Sequence, residues 1–75
     1  MNNAQTNKAI QPLIALLKNK YSGVRASAAK ALGKLQAEEA IEPLIALLED
    51  KDSDVRTRAA EALGNFTANS QVAFT

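Results

Sequence analysis

A chain of 75 residues and 8.0 kDa holds one small domain, and domains of that size bury little apolar surface without a disulfide, a metal or a partner. It contains no cysteine and no histidine, which excludes disulfide staples, thiolate nucleophiles, Cys/His zinc sites and an imidazole general base. A net charge of +1 and three aromatic residues (Tyr21, Phe66 and Phe74) argue against nucleic-acid partners, and no apolar run nears a membrane span of roughly 20 residues. The expectation is a cytoplasmic chain with no cofactor, no metal and no membrane partner.

Sliding the sequence by 31 positions lays Ala9 over Ala40 and aligns AIQPLIALLKNKYSGVRASAAKALGKLQAEE with AIEPLIALLEDKDSDVRTRAAEALGNFTANS, with 18 of 31 pairs identical. Self-similarity at such a period marks stacked supersecondary units. The predicted organisation is a polar leader at 1–8, a first repeat at 9–39, a second at 40–66, and a tail at 67–75 that opens an incomplete third copy, with Val72 over Ile41.

In chain order, the first helix is predicted near 9–19, with Ile10, Leu13 and Leu17 on its apolar stripe. Pro12 is tolerated only in a first turn, so Ala9 to Gln11 is expected to form a tighter or bent entry. The second helix, near 22–35, carries Val24, Ala28, Ala29, Ala31 and Leu32, with Ser22 as its expected cap. The third, near 40–50, repeats the first around Pro43, with Ile41, Leu44, Ile45, Leu47 and Leu48 at three- and four-residue spacing. The fourth, near 53–66, carries Val55, Ala59, Ala60, Ala62, Leu63 and Phe66; Asp52 or Ser53 is expected to cap it and Asp54 to favour its positive end. Gly33 and Gly64 each cost about 1 kcal/mol relative to alanine in a helix, and the expected return is close approach to a neighbouring helix. The fold class is all-α: an α-solenoid of two helix-hairpin repeats, four helices in all.

The pattern A-I/V-x-P-L-I-x-x-L followed by V-R-x-x-A-A-x-A-L-G, as in AIEPLIALLEDKDSDVRTRAAEALGNF, resembles the HEAT-like repeat named after the phycobilisome lyases. It also resembles consensus artificial proteins built from that repeat. The resemblance covers about residues 9–66 and is specific for the repeat but nearly silent on function. The family includes bilin-attaching subunits, phycobilisome degradation factors and plain protein binders, commonly with several repeats.

Arg25 and Arg56 open the second helix of each copy after a valine. They suit either a phosphate or propionate clamp or a structural bond between repeats. The resemblance implies the structural, inter-repeat role, with Asp50, Asp52 or Asp54 as partners for Arg25. Asp50-x-Asp52-x-Asp54 looks like the opening of a calcium loop, but Val55 stands where the loop needs glycine and Glu61 falls within a helix, so a solvated turn is expected instead.

The differences between copies fall at Gly23/Asp54, Ala26/Thr57, Ser27/Arg58, Lys30/Glu61 and Lys34/Asn65, and that spacing traces one helix face. The expected protein-binding residues are therefore Ser27, Lys30, Lys34, Asp54, Thr57, Arg58, Glu61 and Asn65. The leading function is a non-catalytic protein-interaction module using the second-helix faces. A self-assembling structural unit and a bilin-lyase or phycobilisome accessory role are the alternatives. Two repeats without a capping helix should leave Ile10, Leu13 and Leu17 at one end, and Leu63 and Phe66 at the other, partly uncovered, giving a homo-oligomer. Residues 9–39 carry a net charge of +3 and residues 40–70 a net −3. That asymmetry favours head-to-tail association, with an isologous dimer or a folded-back tail as competitors.

Overall fold

The computed structural model describes the backbone of residues 2–74 and the side chains of residues 8–66; the side chains of residues 1–7 and of the tail (67–75) lie outside the described residues. The elements are α1 (Asn2–Leu16), α2 (Ser22–Leu35), a 3-10 turn (Glu38–Ala40), α3 (Ile41–Leu47) and α4 (Ser53–Phe74). Helices α1 and α2 form one hairpin and α3 and α4 the next. The second helices meet over the longest contact, with α1 on α2 and α3 on α4. The Cα envelope of 36 × 30 × 15 Å is a slab about two helices thick. This is the all-α solenoid the repeat implies.

Most of the core is alanine, with Leu32, Leu44 and Val55 as its largest fully buried side chains. Small side chains bring α2 and α4 close. A Cβ placed on Gly33 would stand 2.7 Å from both Cα and Cβ of Ala62, so that glycine is required by the approach of the two helices. Gly64 differs from expectation: among the described residues nothing lies within 4 Å of a Cβ built there.

Helix boundaries depart from the sequence expectation for local reasons. Both first helices stop at the leucine before their polar turn and tighten into i to i+3 bonds, Leu17, Lys18 and Asn19 in one copy matching Leu48, Glu49 and Asp50 in the other. Pro12 does not start α1 but lies inside it. Its ring removes the bond to the Lys8 carbonyl, and Lys8 is exposed, so water can serve that oxygen. Around Pro43 the chain does enter through a tight turn, the 3-10 segment Glu38–Ala40, and the proline then sits in the first turn of α3.

The expected cap on α2 is a correction. Ser22 is already helical, and the N-cap position is Tyr21, which makes no side-chain cap bond. Its counterpart Asp52 does cap α4, its Oδ1 accepting from the backbone N–H of Asp54 at 2.9 Å and of Val55 at 3.1 Å. At its other end α2 closes on Gln36 in the left-handed region (φ 52°), whose N–H returns to the Gly33 carbonyl. No such turn ends α4 after Phe66; it continues as one helix to Phe74 rather than folding back.

The expected leading face is also corrected. Ile10 and Leu17 are each only 3% exposed. They lie seven residues apart on the side of α1 that meets α2 and the 3-10 turn. Leu13 is half-buried against the core, and Leu16, 39% exposed, is the open leucine of this helix.

Candidate functional site

Two arrangements of polar side chains stand out, one between the repeats and one along the second helices. The first is built on Arg25, placed by the start of α2 and 7% exposed. Its Nε and Nη2 donate to the Asp50 carboxylate at 2.9 and 3.0 Å. Its Nη1 donates to the carbonyls of Asn19 (2.8 Å) and Lys20 (3.1 Å). Asp50 also accepts from the Asp52 N–H at 2.9 Å. One guanidinium therefore ties the α1–α2 turn to the α3–α4 turn through a two-pronged pair. The hydrogen bonds from Arg25 hold the Asp50 carboxyl below the usual carboxylate range, and the same bonds raise Arg25. Of the three acids the sequence offered, Asp50 takes the guanidinium.

Arg56 repeats only half of this. Its Nη1 donates to the Asp50 carbonyl at 2.7 Å, as Arg25 does to that of Asn19. Among the described residues its guanidinium meets no carboxylate. The remaining acids of the turn are engaged locally, Asp52 as a cap and Asp54 facing Arg58 at 3.9 Å.

The second arrangement is a shallow groove of about 180 Å³ between α2 and α4, lined by Lys30 and Lys34 from one helix and Arg58, Glu61, Ala62 and Asn65 from the other. Arg58 donates to Glu61 Oε1 at 3.0 Å on its own helix, so its charge is largely balanced there. Lys30 and Lys34 form no ion pair among the described residues. Ser27, Thr57 and Asp54 are exposed on the same helices but do not line the groove.

The comparison of copies did not mark Ala62, because it is identical to Ala31 and so carries no difference to notice; it forms part of the groove wall. It also placed Ala26 on an exposed face, whereas Ala26 is 6% exposed and Thr57, its counterpart, is open to solvent. Among the described residues no set of three acidic, histidine or cysteine side chains is placed to hold a metal, and no helix is long and apolar enough to cross a membrane.

Stacked helical hairpins with a groove along their second helices define a helical-repeat solenoid. The chain belongs to the family of HEAT repeats, which it matches over residues 2–74. Repeats of this family generally mediate protein–protein interaction or scaffolding. No curated protein matches the chain.

Proposed function

We propose that the protein is a non-catalytic interaction module that receives a segment of another protein in the α2–α4 groove. The observation that carries this is the groove itself, which gathers Lys30, Lys34, Arg58, Glu61 and Asn65, all positions at which the copies differ. With Arg58 balanced by Glu61 and the two lysines in no ion pair among the described residues, the groove favours a segment that brings carboxylates to the α2 side. Such an attraction weakens with salt. Ser27, Asp54 and Thr57 would extend the contact beyond the groove.

The test is binding of a selected or physiological protein partner to the wild type and to variants. Arg58→Ala with Glu61→Ala, and separately Lys30→Ala with Lys34→Ala, should weaken binding while the melting temperature stays nearly unchanged, as expected at exposed positions. Binding that survives both pairs places recognition elsewhere.

A bilin-lyase or accessory role has less support, since about 180 Å³ of open groove lies below the roughly 300–1,000 Å³ of pockets that enclose small ligands. Self-assembly through the repeat ends is a second reading, favoured by one observation. Gly64, counterpart of the glycine that admits Ala62, has nothing among the described residues within 4 Å of a Cβ built on it, where Gly33 has a helix.

A further inference from the structure

Each hairpin has a forward face toward the next repeat and a rear face toward the previous one. Burial identifies both. Leu17, Arg25, Ala26, Ala29 and Gly33 are buried, whereas their counterparts Leu48, Arg56, Thr57, Ala60 and Gly64 are exposed. The reverse holds for Leu44, Leu47, Val55 and Ala62, which are buried while Leu13, Leu16, Val24 and Ala31 are partly or largely open. The internal interface thus joins the forward face of repeat 1 to the rear face of repeat 2. The same two faces recur on the outer sides of the pair, partly or largely open among the described residues.

Apart from Thr57 in place of Ala26, every residue in those two sets is the same amino acid as its counterpart. The forward end belongs to the repeat of net charge −3 and the rear end to the repeat of net charge +3. Beyond Phe66 the backbone continues α4 as far as Phe74.

We infer that the occupant of each end is a second copy of this chain, stacked head to tail in the register of the internal interface, so that Gly64 lies on the neighbouring copy's Ala31 and Arg56 faces the neighbouring copy's Asn19. This rests on the self-assembly reading above and deepens it by fixing the register. The register also explains why the junction is weaker than the internal one. Asn19 stands where Asp50 stands inside the chain, so the guanidinium meets a neutral amide instead of a carboxylate. Thr57 puts a larger, polar side chain where Ala26 packs. Two small changes separate a loose stack from a tight one.

Sedimentation equilibrium of the 75-residue chain tests this from micromolar to millimolar concentration. Asn19→Asp restores the carboxylate and keeps the local turn, since Asp50 accepts the Asp52 N–H as Asn19 accepts that of Tyr21, each at 2.9 Å. It should tighten association about tenfold, and adding Arg56→Ala should cancel that gain. Gly64→Ala should abolish association, because its methyl would strike the neighbouring copy's Ala31 as a Cβ on Gly33 strikes Ala62 at 2.7 Å. Its helical circular-dichroism signal should persist. If neither wild type nor Asn19→Asp associates at any concentration, the self-assembly reading is overturned. Association that stops at dimers, or that ignores Asn19→Asp, Arg56→Ala and Gly64→Ala, overturns the head-to-tail register alone.

Discussion

One substitution made at two equivalent glycines should have opposite effects on stability. Replacing a helical glycine with alanine gains about 0.8–1.0 kcal/mol of helix propensity wherever the methyl fits. At Gly64 it fits, with nothing among the described residues within 4 Å, so Gly64→Ala should stabilise the monomer by up to about 1 kcal/mol. At Gly33 the new methyl would lie 2.7 Å from the Cα and Cβ of Ala62 and 3.1 Å from Nδ2 of Asn65. The amide can swing aside, but the backbone of α4 cannot. Carbon atoms normally stop at roughly 3.5–4.0 Å, so α2 and α4 must part by close to 1 Å along their longest contact. Overpacking of that kind costs about 1–3 kcal/mol. Set against the propensity gain, Gly33→Ala should be destabilised by up to about 2 kcal/mol, and the two variants should differ by about 1–3 kcal/mol, the overpacking cost alone. Urea unfolding followed by circular dichroism at low micromolar concentration reads this as midpoints on either side of wild type. In heating, each 1 kcal/mol corresponds to about 4–8 °C for a domain of this size. A Gly33→Ala protein as stable as Gly64→Ala would refute the close approach of α2 and α4.

Two further predictions concern the turns. Asp52→Ala should lose about 0.5–2 kcal/mol by uncapping α4, whereas Tyr21→Asp, which transplants that cap to α2, should gain up to about 1 kcal/mol in the same unfolding assay. The Asp50 carboxyl titrates lower in the folded chain than in the unfolded one, so the unfolded state takes up its proton first as pH falls. The stabilisation from the Arg25 clasp is therefore complete above the unfolded value near 3.9 and drains away as pH falls through the lower folded value. Asp50→Asn should be less stable at neutral pH and should lose less stability than wild type below about pH 4, measured by urea midpoints against pH.

The sequence disclosed the repeat, the four helices and the approach at Gly33, because period and residue size report directly on packing. It disclosed the direction of the stripes less well. Spacing places Ile10, Leu13 and Leu17 on one apolar side, but which edge meets the next hairpin depends on how the hairpins stack, and that buried Ile10 and Leu17 while leaving Leu16 open. Identity between copies hides a difference of environment in the same way: Gly33 and Gly64 are the same residue, with a helix against one and, among the described residues, nothing within 4 Å of the other. The candidate groove was partly legible, since charged positions that differ between copies must be exposed. Ala62 was not, because a small residue identical in both copies looks the same in a groove wall as in a core.

The claim that this small solenoid reserves its groove for other proteins and its ends for itself is tested most directly by a dilution series of amide chemical shifts from an isotope-labelled chain. Concentrating the protein should move the signals of Leu48, Arg56, Ala60 and Gly64 at one end and of Leu16, Val24 and Ala31 at the other, while Lys30, Lys34 and Glu61 stay in place. Shifts centred on the groove residues, or a spectrum that does not change with concentration, would contradict it.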